Sequence, residues 1–279
     1  MLSYLHEFHA GNFADVHKHA SLILTLAMMQ AKPSAIAGFD THAGSAMYDL
    51  AGERAKKTGE AESGIQQVWK LRHRLQSTDW STMLAELARL NPGEGQLSRY
   101  PGSPAWFDCL QREQDSLTAF ELHSGESSRL QDWARGHRVT VQAGDGLEGL
   151  LRALPPKAPR LLVLVDPSYE IKEDYQRVAK TLAQAWTRCR HGVFLVWYPM
   201  LTSGQHRVLP EQLVRLGIRK TWHSELVLRQ PPERGMTGSG MVIINPPWGF
   251  NDRFGAMMAE VSGDQGLNAD HKQTWLVPE

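Results

Sequence analysis

The segment Arg160 to Glu170, RLLVLVDPSYE, sets the strongest limit on the fold. Five consecutive Leu and Val residues run straight into a carboxylate and a proline. A strand with one wet face alternates apolar and polar residues, whereas an unbroken apolar run fits a strand covered on both faces of a parallel sheet. Such a sheet needs further parallel strands and the helical crossovers that join them. The residues just past the strand do not have ordinary turn chemistry. A turn would place Gly, Asn or Asp after the proline, but Asp166-Pro167-Ser168-Tyr169 sets an acceptor and an aromatic ring side by side.

Other segments supply the partner strands. Ala35 to Asp40 reads as a strand and feeds a loop of small residues, Thr41-His42-Ala43-Gly44-Ser45-Ala46, which lets a nucleotide-like ligand approach the backbone. Leu117 to Glu121 comes next, then Val139 to Gln142 with Gly144-Asp145-Gly146 behind it, and Val193 to Tyr198. Asp40, Glu121, Asp145 and Asp166 thus fall in a row along one sheet edge, where open α/β sheets bind ligands. Glu121 is placed to bridge ribose hydroxyls, and Asp145 to accept from an adenine amino group. No GxGxxG fingerprint stands after the first strand, which argues against a nicotinamide dinucleotide.

Between the first and second of these strands lie about seventy residues, far more than one crossover helix needs. Ile65, Val68, Trp69, Arg72 and Leu75 share a helical face, and Ser81 is placed to cap a second helix that ends at Asn91-Pro92-Gly93. The spacing predicts an inserted helical subdomain over residues 49–99, with 1–48 and 100–279 forming the main domain. Ser103 as N-cap and Pro104 at the first helical position predict a helix through Gln114 whose start faces the same crevice as Gly44. Before the first strand, Val16, Ala20, Ile23, Leu24 and Ala27 recur at helical spacing behind a cap at Asn12 or Asp15. His6, His9, His17 and His19 cluster there without an HExxH pattern or a set of carboxylates, so no metal site is expected.

Near the C-terminus, Ile218 to Leu228 and Gly240 to Ile244 are joined through a Gly/Pro/Arg-rich turn with no helix between them, so they form an antiparallel hairpin. If the last strand runs antiparallel to the rest, Asn245-Pro246-Pro247-Trp248 leaves the sheet at the edge away from the acids. Asn245 is then a structural turn with Trp248 packing under it.

A carboxylate and the carbonyl beside it can accept both hydrogens of an exocyclic amino group while a tyrosine covers the base, which suits a flipped-out adenine. DPSY resembles the D/N-P-P-Y/F/W motif of amino-directed adenine methyltransferases, with Ser168 in place of the second proline. An ordinary strand-to-loop junction with a surface tyrosine reads the same way on these four residues alone. Across the chain, however, HxGNxADVxKH, FDTHAG, YPGSP, the tips at Glu121 and Asp145-Gly146, DPSYE and GMTGSGMVIINPPW together are similar to the RlmJ family of bacterial 23S ribosomal RNA adenine-N6 methyltransferases.

That resemblance implies a class I, Rossmann-like methyltransferase fold, α/β, with a mainly parallel twisted sheet, a C-terminal antiparallel hairpin and a helical insertion after the first strand. It implies S-adenosylmethionine as methyl donor, held by His19, His42, Gly44, Ser103, Glu121, Asp145, Gly146 and Asp166. Asp166 would be the catalytic acceptor and Tyr4 would lie near the RNA; Lys18 is a further candidate by adjacency, and the motif chemistry sets Pro167 and Tyr169 against the substrate base. The implied partner is 23S rRNA free of, or early in, assembly of the large subunit, and the protein would act as a monomer.

Charge neither drives nor forbids an RNA substrate, because 30 basic residues balance 30 acidic ones and only local clusters can dock phosphates. Arg54 with Lys56 and Lys57, Lys70 with Arg72 and Arg74, and Arg229 with Arg234 are the candidate clusters. Cys109 and Cys189 have no metal spacing and fit a reducing compartment. With no charged-then-apolar leader pattern and no membrane-length apolar run, a cytoplasmic location is expected. A DNA adenine methyltransferase and a non-catalytic RNA- or cofactor-binding module remain as rival readings.

Overall fold

The computed structural model describes residues 5–93 and 95–279. Tyr4, expected near RNA, lies outside the described residues. The chain enters a long helix, α1 (Phe13–Met29), whose first turn is capped by the Asn12 side chain accepting from the Asp15 amide. It then forms β1 (Ile36–Asp40), buried at every position. Strands β2 (Met47–Asp49) and β3 (Arg99–Pro101) pair as a short antiparallel ribbon, and between them run α2 (Glu53–Thr58), α3 (Ile65–Leu71) and α4 (Ser81–Leu90). From there α5 (Ser103–Leu110), β4 (Ser116–Glu121), α6 (Ser124–Ala134), β5 (Val139–Ala143), α7 (Gly146–Ala153), β6 (Arg160–Val165), α8 (Glu173–Arg188) and β7 (Val193–Leu201) alternate. The chain closes with α9 (Val208–Arg215), β8 (Thr221–Leu228), β9 (Met236–Ile244), α10 (Phe250–Val261) and β10 (Ala269–Val277).

These strands form one eight-stranded sheet in the order β10-β8-β9-β7-β6-β1-β4-β5. β5, β4, β1, β6 and β7 are parallel, while β9 runs antiparallel to both β7 and β8 and β10 antiparallel to β8. The chain steps outward from β1 through β4 to β5, then crosses back to place β6 on the other side of β1. Strand order reverses between β1 and β6, and a crevice opens there.

The apolar run of β6 is explained by its two covered faces. Leu162 and Leu164 pack into the cluster formed by α1, α5 and α10, whereas Leu161, Val163 and Val165 pack into the one formed by α7, α8 and α9. Buried side chains of the inserted segment, among them Ile65, Val68, Trp80, Met83 and Leu87, belong to the same cluster as α1. None of the described helices is long and apolar enough to cross a membrane.

Local readings shift in four places. Gly102, not Ser103, caps α5, and the helix stops at Leu110 because Arg112 folds back on Asp115 at 2.9 Å and fixes a turn. Ser81 starts α4 but does not cap it; Ser77 caps the short 3-10 turn leading into it by accepting from the Asp79 amide. Trp248 does not pack under Asn245, since its side chain is 98% exposed. Finally, α10 and β10 add a helix and an edge strand beyond the expected hairpin.

Candidate active site

The C-terminal ends of the parallel strands surround a cavity of about 500 Å³, within the range of small-molecule sites. Asp166, the first residue after β6, lines it together with Pro167, Ser168 and Tyr169. A lysine from another part of the chain is clamped onto that aspartate. Lys18 Nζ lies 2.5 Å from Asp166 Oδ2 and 2.9 Å from Asp15 Oδ1, one helical turn back on α1. Asp15 in turn accepts from the Gly11 amide at 2.9 Å and shares a hydrogen bond with His6 Nε2 at 2.9 Å. Among the described residues, Asp166 Oδ1 makes no hydrogen bond.

These charges adjust one another. Burial works against the Lys18 ammonium, but the two flanking carboxylates outweigh it and raise its proton affinity above the ordinary lysine value. Burial also works against the Asp15 carboxylate, and there the nearby His6 and Lys18 hold the group well below the usual range. Asp166 is raised, because burial exceeds the pull of Lys18. The site therefore holds a permanent ammonium against a carboxylate that keeps unusual proton affinity.

The aromatic residues are arranged around this pair. Tyr169 adopts a positive φ of 52°, donates its hydroxyl to the Trp197 carbonyl at 2.8 Å and stacks on Tyr175 at 4.4 Å. Only 6% of Tyr169 is exposed, so most of its ring is already covered. The half-buried Trp197 also lines the cavity, with its indole nitrogen held by Ser239 at 2.9 Å and Lys18 Nζ 5.8 Å from its ring centre.

The remaining expected residues converge on the same cavity. His19, His42, Gly44, Ser103, Glu121, Asp145 and Gly146 all line it. Glu121 accepts from the Gly44 amide at 2.8 Å and the His123 amide at 2.7 Å, tying the loop after β1 to the end of β4. Burial raises its proton affinity. Asp145 caps α7 by accepting from the Glu148 amide at 3.0 Å and pairs with Arg177 of α8. Gly146 is required by contact, because a Cβ there would collide with the Thr41 carbonyl oxygen. His42 is held neutral, its proton affinity pushed down to about 4 by burial. Asp40 differs from the other acids. It is fully buried, bonds to Ser103 and the His42 amide, and does not line the cavity.

The donor set fits an adenosyl sulfonium. His19 is bonded through Nδ1 to Tyr100 at 2.8 Å, yet its buried Nε2 has no partner among the described residues, and burial keeps the ring neutral. Glu126, at the same wall, likewise has a buried Oε2 without a partner among them. Unsatisfied buried polar atoms cost about 1–3 kcal/mol each and are expected where a ligand completes them. Carboxylates at Glu121 and Asp145, with the Gly44 and Gly146 backbones closely approachable, suit ribose hydroxyls and a purine amino group.

The four N-terminal histidines disperse rather than gather. His6 meets Asp15, His9 meets Glu60 at 2.8 Å, His17 lies between Ser224 and Ser239, and His19 meets Tyr100. No three or more His, Cys, Asp or Glu among the described residues are grouped to hold a metal ion. Of the candidate basic clusters, Arg229 is paired with Asp264 and Asp270, and Arg54 with Glu7. Sequence reasoning missed His6, Asp15 and Trp197 as site residues. The signal for Asp15 was present: Asp15 and Lys18 are opposite charges spaced i,i+3, so they share one face of α1 and can be buried as a pair.

Comparison with known proteins agrees with this geometry. Residues 33–277 match the family model for ribosomal RNA large subunit methyltransferase D, RlmJ. The chain is 37% identical over 286 residues to ribosomal RNA large subunit methyltransferase J of Escherichia coli, with all of both chains covered. It is 39% identical over 254 residues to the Haemophilus influenzae protein of the same name, covering 89% of this chain and 88% of that one. The crystal structure of protein LPL1258 from Legionella pneumophila superposes with a TM-score of 0.88 at 31% identity, over 96% of this chain and 98% of that one. The shared length, the level of identity and the common fold place this chain in the RlmJ family of ribosomal RNA large subunit methyltransferases.

Proposed function

We propose that the protein transfers the methyl group of S-adenosylmethionine to N6 of an unpaired adenine in 23S ribosomal RNA. The observation that carries the reading is Asp166 at the tip of β6, with one oxygen fixed by Lys18 and the other unbonded among the described residues, in a cavity that Pro167 also lines. The two acceptors suit an exocyclic amino group, whose two hydrogens they take. S-adenosylmethionine supplies an electrophilic methyl, and His19, His42, Gly44, Ser103, Glu121, Asp145 and Gly146 would hold its adenosine and amino-acid ends.

Asp166 and the Pro167 carbonyl orient the nitrogen lone pair toward that methyl, so much of the rate comes from positioning and from negative charge placed where positive charge builds. As the new N–C bond forms, the nitrogen becomes acidic and Asp166 takes its proton. The raised proton affinity of that carboxyl suits this step. Lys18 stays charged throughout and keeps the carboxylate in place. Tyr169 and Trp197 give the base an aromatic boundary. The RNA is met before the large subunit is complete, by a monomer.

Methyl transfer from labelled cofactor to naked 23S rRNA, intact large subunits and duplex DNA tests this directly. Label in a single adenine of naked rRNA is expected, and preferential labelling of DNA would retire the reading. Mapping modified adenines in rRNA from cells with and without the protein gives the target position.

A further inference from the structure

The motif Asn245-Pro246-Pro247-Trp248 has no place in the crevice. Because β9 is antiparallel, its end at Ile244 pairs with Phe194 near the start of β7 and with Thr221 at the start of β8, at the edge opposite the cavity. There Asn245 joins three segments. Its amide nitrogen donates to the Lys220 carbonyl at 2.9 Å, and its side chain donates to the carbonyls of Arg190 at 2.7 Å and Gly192 at 2.8 Å. The turn is closed by the Phe250 amide donating to the Pro247 carbonyl at 3.0 Å, with Phe250 and Phe254 buried beneath. Trp248 is therefore presented from a braced turn. It is 98% exposed, whereas the other exposed large apolar side chains are only 41–57% exposed and so are partly seated on the surface.

The segments that meet the Asn245 turn carry mostly cationic side chains. Arg190, His191, Arg219 and Lys220 are exposed, and Lys157 continues the row ahead of β6. Arg190 stacks over Trp186 at 5.0 Å, which adds a second aromatic plane. Two acids intervene: Glu279 pairs with Lys220, and Asp252 accepts from Asn251. With strands about 4.8 Å apart, the row from β8 to β6 spans roughly 15 Å, long enough for several phosphates of one strand. At the crevice edge Lys18 and Arg177 are paired with Asp166 and Asp145, whereas no ion pair is formed by Arg190 or Arg219 among the described residues.

We infer that this edge is a second RNA-docking surface, with Trp248 as a stacking platform for an unpaired base and Arg190 and Arg219 as its phosphate contacts. A fully presented indole among arginines is the chemistry that binds single-stranded RNA with little sequence preference. The surface is remote from the crevice, so only an RNA long enough to reach both sites engages it. This rests on the proposed rRNA substrate.

The test compares steady-state methylation of a short hairpin containing the target adenine with that of whole 23S rRNA, using the full chain, Trp248→Ala, Trp248→Phe and the double variant Arg190→Glu/Arg219→Glu. With long RNA, KM is expected to rise about five- to tenfold for Trp248→Ala, the low end for one lost base stack, and to recover in Trp248→Phe. The double variant should lower the slope of log KM against log salt by about 1.4, the value for two phosphate contacts on a single strand. Kinetics on the hairpin and kcat on both substrates should stay unchanged. Equal losses on both substrates, or unchanged kinetics on long RNA, would overturn the proposal, as would a dimer in sedimentation that Trp248→Ala disrupts. A native protein that methylates neither RNA would defeat the rRNA reading and this surface with it, whereas normal native turnover with indifferent variants would defeat the surface alone.

Discussion

Replacing Lys18 with Met removes a charge while keeping most of the volume, and it isolates the role of the clamp between α1 and β6. The ammonium is only 5% exposed and is shared by carboxylates 1% and 12% exposed. Removing one partner of a buried ion pair costs about 3–5 kcal/mol because the other charge stays buried. Asp15 keeps its bonds to Gly11 and His6, so most of the penalty falls on Asp166, which has no other hydrogen-bond partner among the described residues. The carboxyl relieves that penalty by taking a proton, and its already raised proton affinity climbs further. A neutral acid no longer opposes the growing positive charge on the substrate nitrogen. Loss of one such contact lowers turnover by about 10²–10³-fold. The assay is single-turnover methylation against pH. Lys18→Met should show that loss near neutrality, partial recovery as pH rises, and an acid limb displaced upward from the native profile. Lys18 itself contributes no pH dependence below about pH 10, since its folded proton affinity exceeds the ordinary lysine value and its stabilisation is lost only above that. A variant with native rate and native pH profile would refute the reasoning.

Asp166→Ala should abolish methylation, while Asn245→Ala retains it and loses about 1–3 kcal/mol of stability from its two side-chain bonds, read by thermal melting. Asp40 is pushed up to about 7 by burial, so the folded state holds a proton that the unfolded chain releases. Its stabilisation is complete below the ordinary carboxylate value and is lost as pH rises to about 7. The Asp40 contribution should therefore fall by a few kcal/mol between about pH 4 and 7, at about 1.36 kcal/mol per unit, while the buried neutral His42 and His271 contribute in the opposite sense; the difference in urea-titration stability between the native protein and Asp40→Asn should show the fall. Gly146→Ala drives a methyl into the Thr41 carbonyl, and calorimetry should show weakened cofactor binding with at least about 1–3 kcal/mol of lost stability. His19→Phe removes both ring nitrogens, so cofactor affinity should drop about 5- to 100-fold, and the lost bond to the buried Tyr100 hydroxyl should cost about 1–3 kcal/mol in thermal melting.

Much of the sheet was legible because its strands obey local rules. A strand buried on both faces is apolar throughout, and β6 shows it. The absence of a helix between β8 and β9 dictated their antiparallel pairing, and that pairing separated Asp166 from Asn245. The acids at strand tips were legible for the same reason, although Asp40 turns into the protein while Glu121, Asp145 and Asp166 reach the cavity. The features that were not legible depend on long-range contact. Nothing in the composition of β10 marks a strand, since only Ala269 among its residues is fully buried. Trp248 was expected to be covered because large rings usually are, and the prolines beside it prevent that by fixing the turn outward. Tyr169 looked free to stack, but its position is set by Trp197 and Tyr175, both remote in sequence.

The way α1 is held has a consequence for how the protein is made. This first helix carries Asp15, Lys18 and His19, yet its His17 is secured by Ser224 at 2.9 Å and Ser239 at 3.0 Å, and Phe254 packs beside it at 5.7 Å. A nascent chain therefore presents α1 at the tunnel exit long before the strands that hold its His17 are translated. The seat of this first helix is completed only once Ser224, Ser239 and Phe254 have emerged, so its final packing waits on elements more than two hundred residues away in sequence.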